Sequence, residues 1–506
     1  MKTSFSLLAL LLLVFFSGFS QTFNGYALYN ELNQNTTYLI DKDGNIAHTW
    51  SNTTSCNYAV RLKEDGNIVR GAVNSGNQLN GAAVGGLIQE IDPSGNVVWE
   101  YTYSNSDHVS HHDFEILPNG NVILTTWQVK STTELTQAGY DNATSEKWPT
   151  ALIELEPDGN GSASIVWEWH IWDHLIQDHD SSKDNYGVVS DHPELMDINA
   201  ISSGGGGGGG GPGGGGDWFH VNGLDYNEAL DQIVFSSRHA SEFFIIDHST
   251  TTAEAASHAG GNSGMGGDFL YRWGNPSNYG SSASQTIDAA VHDPRWIIDD
   301  GRPYAGYIQF FNNEGGSGGG SAVDVIQAPE SGWLYTFGTN SYGPSTYDDR
   351  HECLANSTGQ SASDRMSNGN IFVAVSQQYM YEVDANGNTV WQYNASPAKA
   401  FRYECDHPGI AVILGANPCA LSVDDVSGLA NIEMYPNPSS DGVFQIDGLP
   451  QGAGVSVQVV NAFGQLVLRD DNAGIIDLSN QPVGIYLANI TMEDGSARTY
   501  KLHVIQ

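Results

Sequence analysis

Four stretches of the chain repeat one short pattern: "YLIDKDGNIAHTW", "IQEIDPSGNVVWEY", "LIELEPDGNGSASIVWEW" and "MYEVDANGNTVWQY". In each, a β-rich run meets an acidic or polar turn carrying Gly-Asn, and a second run closes on Trp. Gly and Asn accept the positive φ that tight turns demand, so each stretch reads as a β-hairpin. A second set alternates with the first: "AVRLKEDGNIVRG", "DFEILPNGNVILTT", "DYNEALDQIVFSSR", "PRWIIDDGRPYAGYIQFF" and "SDRMSNGNIFVAVS". These also read as hairpins, ending in the small or polar residues expected beside a crowded axis. Hairpin pairs repeated at tens of residues, with no helical period, constrain the chain to radial β repetition. The expectation is an all-β chain whose residues 21–420 form a six-bladed β-propeller. Extra chain from Gln128 to Pro149 and from Ile171 to Gly216 would be inserted above one face. The aspartates in the turns invite a calcium-loop reading, but the loops lack the later ligands and the Glu of an EF-hand.

The ends differ from this repeat. Met1-Lys2 followed by "SLLALLLLVFFSGFS" has the charged start, short apolar run and small residues of a signal peptide over 1–20, cleaved after Ser20. No later run is long and apolar enough for a membrane helix, so an exported, soluble mature protein with no membrane span is expected. Export makes Cys56, Cys353, Cys405 and Cys419 candidates for two disulfides, with three pairings open. Residues 204–216, almost all Gly, lack the Lys-Ser/Thr of a phosphate loop and read as a flexible linker. A second linker is expected over 421–430. From 431 to 506, short alternating strands separated by turns predict a small C-terminal β-sandwich. "YPNP" at 435–438, "NAFGQLV" at 461–467 and "LSNQPVGIYLANI" at 478–490 closely resemble the C-terminal sorting domain of the Bacteroidetes type IX secretion system. That resemblance implies periplasmic transit, type IX secretion machinery as a partner, and a secreted or cell-surface location.

Lys and Arg number 19 against 58 Asp and Glu, a formal net charge of −39. Such a field repels polyanions, which argues against a nucleic-acid partner. An anionic substrate must then be held by a few local cations. Aligning the inner hairpins on their turns puts His112, His220 and His292 in equivalent places at the start of inner strands, aimed at one axis. Three imidazoles suit zinc-assisted hydrolysis, yet no carboxylate is obviously placed as general base. Asp113 and Asp293 follow their histidines and face the other way along a strand, so holding backbone or the next blade is their expected task. The other option is covalent catalysis with a histidine nucleophile, which needs oxyanion donors nearby. Arg238, ending the hairpin that begins at His220, is such a donor if strand pairing is tight. Asn222 shares the His220 face. Trp218, Phe219, Trp296 and Tyr304 are available to stack an aryl ring but fit core positions equally well.

"DWFHVNGLDYNEALDQIVFSSRHASEFFIID", residues 217–247, resembles the signature of the bacterial aryl-sulfate sulfotransferases. "HHDFEILPNGNVIL" and "VHDPRWIIDDGRPYAGYIQFFNNEGG" are similar to two further blocks of that family, in the same order. The resemblance implies a six-bladed propeller that moves a sulfuryl group from a phenolic sulfate ester to a phenol, without a nucleotide donor or other cofactor. It implies a ping-pong reaction through a sulfated His292. His220 and Arg238 would bind the sulfuryl oxygens and the leaving phenolate, with His112 and Asn222 as further substrate-binding residues and no metal. Partners would be a small-molecule aryl sulfate donor and a phenolic acceptor; a homodimer is compatible with the sequence. Val291 stands where the family usually has Gln, Phe311-Asn312-Asn313-Glu314-Gly315 where it has Phe-Asp-Asn-Gly, and Asn222-Gly223-Leu224-Asp225 where it has Asn-Ser-Ile-Asp. Two other classes share the same features: a propeller that binds sulfated ligands without turnover, and a metal-dependent hydrolase.

Overall fold

The computed structural model describes residues 22–201, 216–286, 288–415, 418–419, 432–448, 455–461, 465–470, 474–492 and 497–505. The expected signal peptide, the glycine run apart from Gly216, and the 421–430 linker lie outside the described residues. The chain is nearly all β and divides into two compact units, Met1–Pro418 and Cys419–Gln506.

Among the described residues, the first unit holds two short two-stranded sheets and six four-stranded antiparallel ones. All nine stretches singled out above are antiparallel hairpins within them. The first set supplies the outer two strands of a sheet and the second set the inner two. Five sheets are consecutive in sequence, beginning at Cys56–Leu62, His108–Ile116, Val221–Asn227, His292–Trp296 and Ala362–Arg365. The remaining sheet joins the ends of the unit, because Gly25–Glu31 pairs on one side with Thr36–Ile40 and on the other with Pro397–Glu404. Pro397–Glu404 and the five leading strands touch their neighbours in cyclic order, and the last of them returns to Pro397–Glu404.

Burial explains the two hairpin types. Middle strands such as Gln232–Ser237 and Glu242–Asp247 are buried along their whole length. Outer strands such as Val97–Thr102 are mostly exposed and bury chiefly their Trp. That Trp is an anchor as well as an apolar filler. Trp50 donates from Nε1 to Asp92 O of the next sheet at 3.0 Å, and Trp167 to Thr250 Oγ1 at 3.2 Å. The turn aspartates are occupied by their own backbone. Asp92 Oδ1 accepts from the amides of Ser94 and Asn96 at 2.8 Å, while Oδ2 accepts from the Asn96 side chain at 2.9 Å. Asp41 and Asp384 do the same for Asn45 and Asn388. Gly44, Gly95 and Gly387 take φ of 81°, 87° and 79° in these turns. The Asp-x-x-Gly-Asn repeat is thus a self-capping turn.

Polar clamps tie sheets together. His248 donates from Nδ1 to Asp231 at 2.7 Å and from Nε2 to Glu154 at 3.0 Å, linking two adjacent sheets as an imidazolium. Burial works against that charge, but the two carboxylates prevail and push its pKa up to about 9. The disulfide expectation requires correction: Cys405 and Cys419 are disulfide-bonded, whereas Cys56 and Cys353 are free thiols. Cys56 starts an inner strand and Cys353 follows the outer strand Asp349–Glu352 of a different sheet, so each is fixed by its own strand.

Among its described residues, the second unit has a three-stranded and a four-stranded antiparallel sheet. Met434, Phe444 and Ile476 from one, and Val457, Val459, Ala488, Ile490 and Leu502 from the other, share one apolar core.

Candidate functional site

His112 and His292 lie on leading strands and His220 immediately precedes one, each beside an irregularity. The strand register shifts between Ser110 and Phe114, between Val221 and Gly223, and between His292 and Arg295. His112 and His220 take φ of 50° and 57°, and Asp293 takes 53°. Such bulges break simple alternation and re-aim side chains. His112, His220 and His292 are each buried. The rings of His112 and His220 meet edge to face with centroids 4.6 Å apart, and Tyr58 packs edge-on against His112 at 5.4 Å.

The tautomer of His292 follows from its partners. Its Nδ1 lies 2.8 Å from both Ala290 O and Asn313 Oδ1. The Asn313 amide is oriented by its own donor end, which reaches Ser357 O at 2.9 Å and Gln360 O at 3.2 Å. Both neighbours of Nδ1 are therefore acceptors, so Nδ1 holds the proton and Nε2 keeps its lone pair. Burial, then the charges of Arg238, His220 and Lys399, hold His292 well below the usual imidazole range. It is a neutral, oriented base.

His112 is fixed by its predecessor. His111 stacks on Trp127 at 4.1 Å, and its Nδ1 lies 2.8 Å from Nδ1 of His112. The two Nδ1 atoms share a single proton, and the backbone of Thr126 also bonds the His111 ring. Burial lowers both rings, His111 to about 3.

His220 pairs through Nδ1 with Asp217 Oδ2 at 2.5 Å. Asp217 also accepts from Trp127 Nε1 at 3.0 Å. Although burial raises the Asp217 carboxyl, His220 overcomes this and keeps it below the carboxylate range. Arg238 closes the same hairpin, with its amide donating to His220 O at 3.1 Å. Its guanidinium donates to Thr358 O and stands 3.8 Å from Glu314. Asn222 is fully buried. It donates to Val291 O at 2.8 Å and accepts from Ser236 at 2.5 Å, so its amide steadies the backbone before His292.

Behind the histidines, Lys399 of Pro397–Glu404 is fully buried between Asp113 Oδ2 at 2.6 Å and Asp293 Oδ1 at 3.1 Å. Asp113 also meets Arg61, and Asp293 accepts from the Ser363 amide at 3.1 Å. The two aspartates thus bind neighbouring strands. Toward the other end of these strands, a cavity of about 750 Å³ is lined by Arg61, Glu115, Asp225, Arg295 and Arg402, among others.

Sequence reasoning missed Asp217, Asn313, Tyr58 and Lys399. The first two lie inside quoted motifs, where their spacing to His220 and their role toward His292 had no signal. Lys399 had one, a lone Lys in the β-rich "SPAKAFRYE". Trp218 and Phe219 are core residues. Among the described residues, His112, His220 and His292 do not gather as a metal-ligating group; His174, His258 and Asp268 do, away from this cluster.

Solved structures similar to the chain include a protein of unknown function from Bacteroides caccae, with 11% identity over 75% of this chain and 98% of that one, TM-score 0.39. Another is a periplasmic gluconolactonase from Pseudomonas aeruginosa, with 11% identity over 95% and 99% of the two chains, TM-score 0.36. No curated protein matches. The model of the secretion-system C-terminal sorting domain matches residues 433–505, and that of the arylsulfotransferases matches 16–324. Over half its length, and across the segments that carry His112, His220, Arg238 and His292, the chain belongs to the arylsulfotransferase family.

Proposed function

We propose that the protein is an exported aryl-sulfate sulfotransferase acting through a sulfated His292. The family supports aryl sulfotransfer, and the sorting domain supports a secreted or cell-surface location. The observation carrying the finer reading is the bonding of His292, whose Nδ1 faces two acceptors and whose Nε2 keeps its lone pair. In this reading Nε2 attacks sulfur, the ester S–O bond breaks, and the phenolate leaves with the electron pair. Asn313 and Ala290 O take up the positive charge that the ring acquires. Arg238 and His112 hold the sulfuryl oxygens, and the His220–Asp217 pair supplies a proton to the phenolate. A second phenol, giving its proton back to the His220–Asp217 pair, then attacks sulfur, and the N–S bond returns its electrons to Nε2. The six sheets would be the blades of a six-bladed propeller, with a sorting sandwich over 431–506.

Incubation with p-nitrophenyl sulfate should release nitrophenolate at a rate that rises with added phenol. Without phenol, one sulfuryl group should accumulate on the peptide bearing His292, and His292→Ala should lose both signals. A label on another residue, or turnover indifferent to phenol, overturns the mechanism.

A further inference from the structure

Away from the histidine cluster, three segments converge on one carboxylate oxygen. Asp268 Oδ1 lies 2.7 Å from Nδ1 of His174 and 2.8 Å from Nδ1 of His258, and the three candidate ligand atoms lie within 4.8 Å of one another. His174 follows the 3-10 turn Ile171–Asp173, His258 lies beyond the short helix Thr252–Ala255, and Asp268 precedes the strand Tyr271–Trp273. We propose that these residues bind a zinc ion that clips the 256–268 loop to the 171–176 turn.

The surroundings prepare His174 as a ligand. Its Nε2 lies 2.8 Å from Ala255 O, which can only accept, so Nε2 carries a proton and Nδ1 is the nitrogen left to meet a metal. A backbone carbonyl behind a ring nitrogen is the usual outer support of a metal-bound histidine. The ring is fully buried and stacks flat on Trp169, with centroids 5.7 Å apart and planes 5° from parallel. Trp169 Nε1 in turn donates to Gly267 O at 2.7 Å. Only glycine fits at 267, because a Cβ there would lie 2.0 Å from Ala255 O and 2.6 Å from His174 Nε2. With Nδ1 of His174 and Oδ1 of Asp268 face to face, the gap between them must be filled by a proton or a cation.

Two imidazoles and one carboxylate form a donor set suited to Zn²⁺. Bonds of about 2.0–2.1 Å in a tetrahedron require the ligand atoms to separate by roughly half an ångström more than the 2.7–2.8 Å found here. The His258 side chain is 62% exposed and can make its share of that adjustment, while the buried His174–Asp268 contact would have to open by a small rotation of the carboxylate. The exposed side leaves room for water as fourth ligand.

The test uses the full untagged chain, stripped with chelator and titrated with ZnCl₂ by calorimetry, with thermal melting in parallel. One equivalent should bind and raise the melting temperature. His258→Ala, at an exposed position, should fold normally without metal, bind zinc at least tenfold more weakly, and lose the thermal shift. Asp268→Asn should behave likewise toward zinc. The absence of saturable binding near one equivalent, or unchanged binding in His258→Ala, overturns the proposal and leaves a metal-free His-Asp-His network.

Discussion

Lys399→Met tests whether the buried charge tier beneath the histidines is structural, electrostatic, or both. Lys399 is fully buried, with carboxylates at 2.6 and 3.1 Å. At an effective dielectric constant of 20, the two contacts are worth about 6 and about 5 kcal/mol before desolvation. Methionine fills the stem's volume but leaves two buried carboxylates without their shared cation. Asp113 keeps Arg61 at 3.3 Å, whereas Asp293 retains only the Ser363 amide and Arg295 at 3.7 Å. Breaking such a unit from one side should cost about 3–5 kcal/mol at pH 7. Charges from Lys399 also help depress His112 and His292. Their removal should therefore raise the pKa of His292 and move the acid limb of transfer to higher pH. Denaturant unfolding and the pH profile of phenol-dependent transfer read the two effects separately. Restoring neutrality with Asp113→Asn and Asp293→Asn in the Lys399→Met background should recover most of the stability. A deficit under about 1 kcal/mol, far below the buried-pair range, together with an unmoved acid limb, refutes the reasoning.

Asp217→Asn should slow transfer from donors with poor leaving groups by about 100-fold, yet barely affect p-nitrophenyl sulfate, whose phenolate needs little protonation; a uniform loss contradicts the assigned role. His248 is held charged up to about pH 9 in the fold, against about 6.5 when unfolded. Its contribution is complete below the unfolded value and lost as pH rises through the folded one, on the order of 3 kcal/mol in all. Unfolding curves for His248→Gln should lose that slope between pH 6.5 and 9. Under denaturing conditions without reductant, a thiol reagent should count two reactive cysteines, Cys56 and Cys353, and four after reduction.

The hairpins were readable because their signal is local. Each Asp-x-x-Gly-Asn turn satisfies itself within five residues, so Asp41, Asp92 and Asp384 mark hairpins whatever surrounds them. Arg238 was placed beside His220 by the same logic, since hairpin closure fixes both. What depends on bulges was not readable. The positive φ values at His112, His220 and Asp293 occur where the strand register shifts, and no residue type announces them. Contacts such as Lys399 with Asp113 and Asp293 join distant segments and leave no periodic trace. The glycine run offered one lesson of scale. Gly216, its last member, cannot carry a Cβ, which would sit 2.2 Å from the Trp148 indole. Composition had grouped it with a linker.

The pairing of Gly25–Glu31 with Pro397–Glu404 has a kinetic consequence. It closes a loop of roughly 370 residues, an entropic cost of about 5 kcal/mol that no local contact offsets. The five consecutive sheets can form as the chain emerges, but the strand carrying Lys399 arrives last. Until then Gly25–Glu31 is an open edge, ready to pair with any other extended segment. Because Asp113 and Asp293 wait for the same lysine, completion of the sheet and assembly of the charge tier are one event. A chain cut before residue 397 would stop short of both, a sticky intermediate rather than a smaller enzyme.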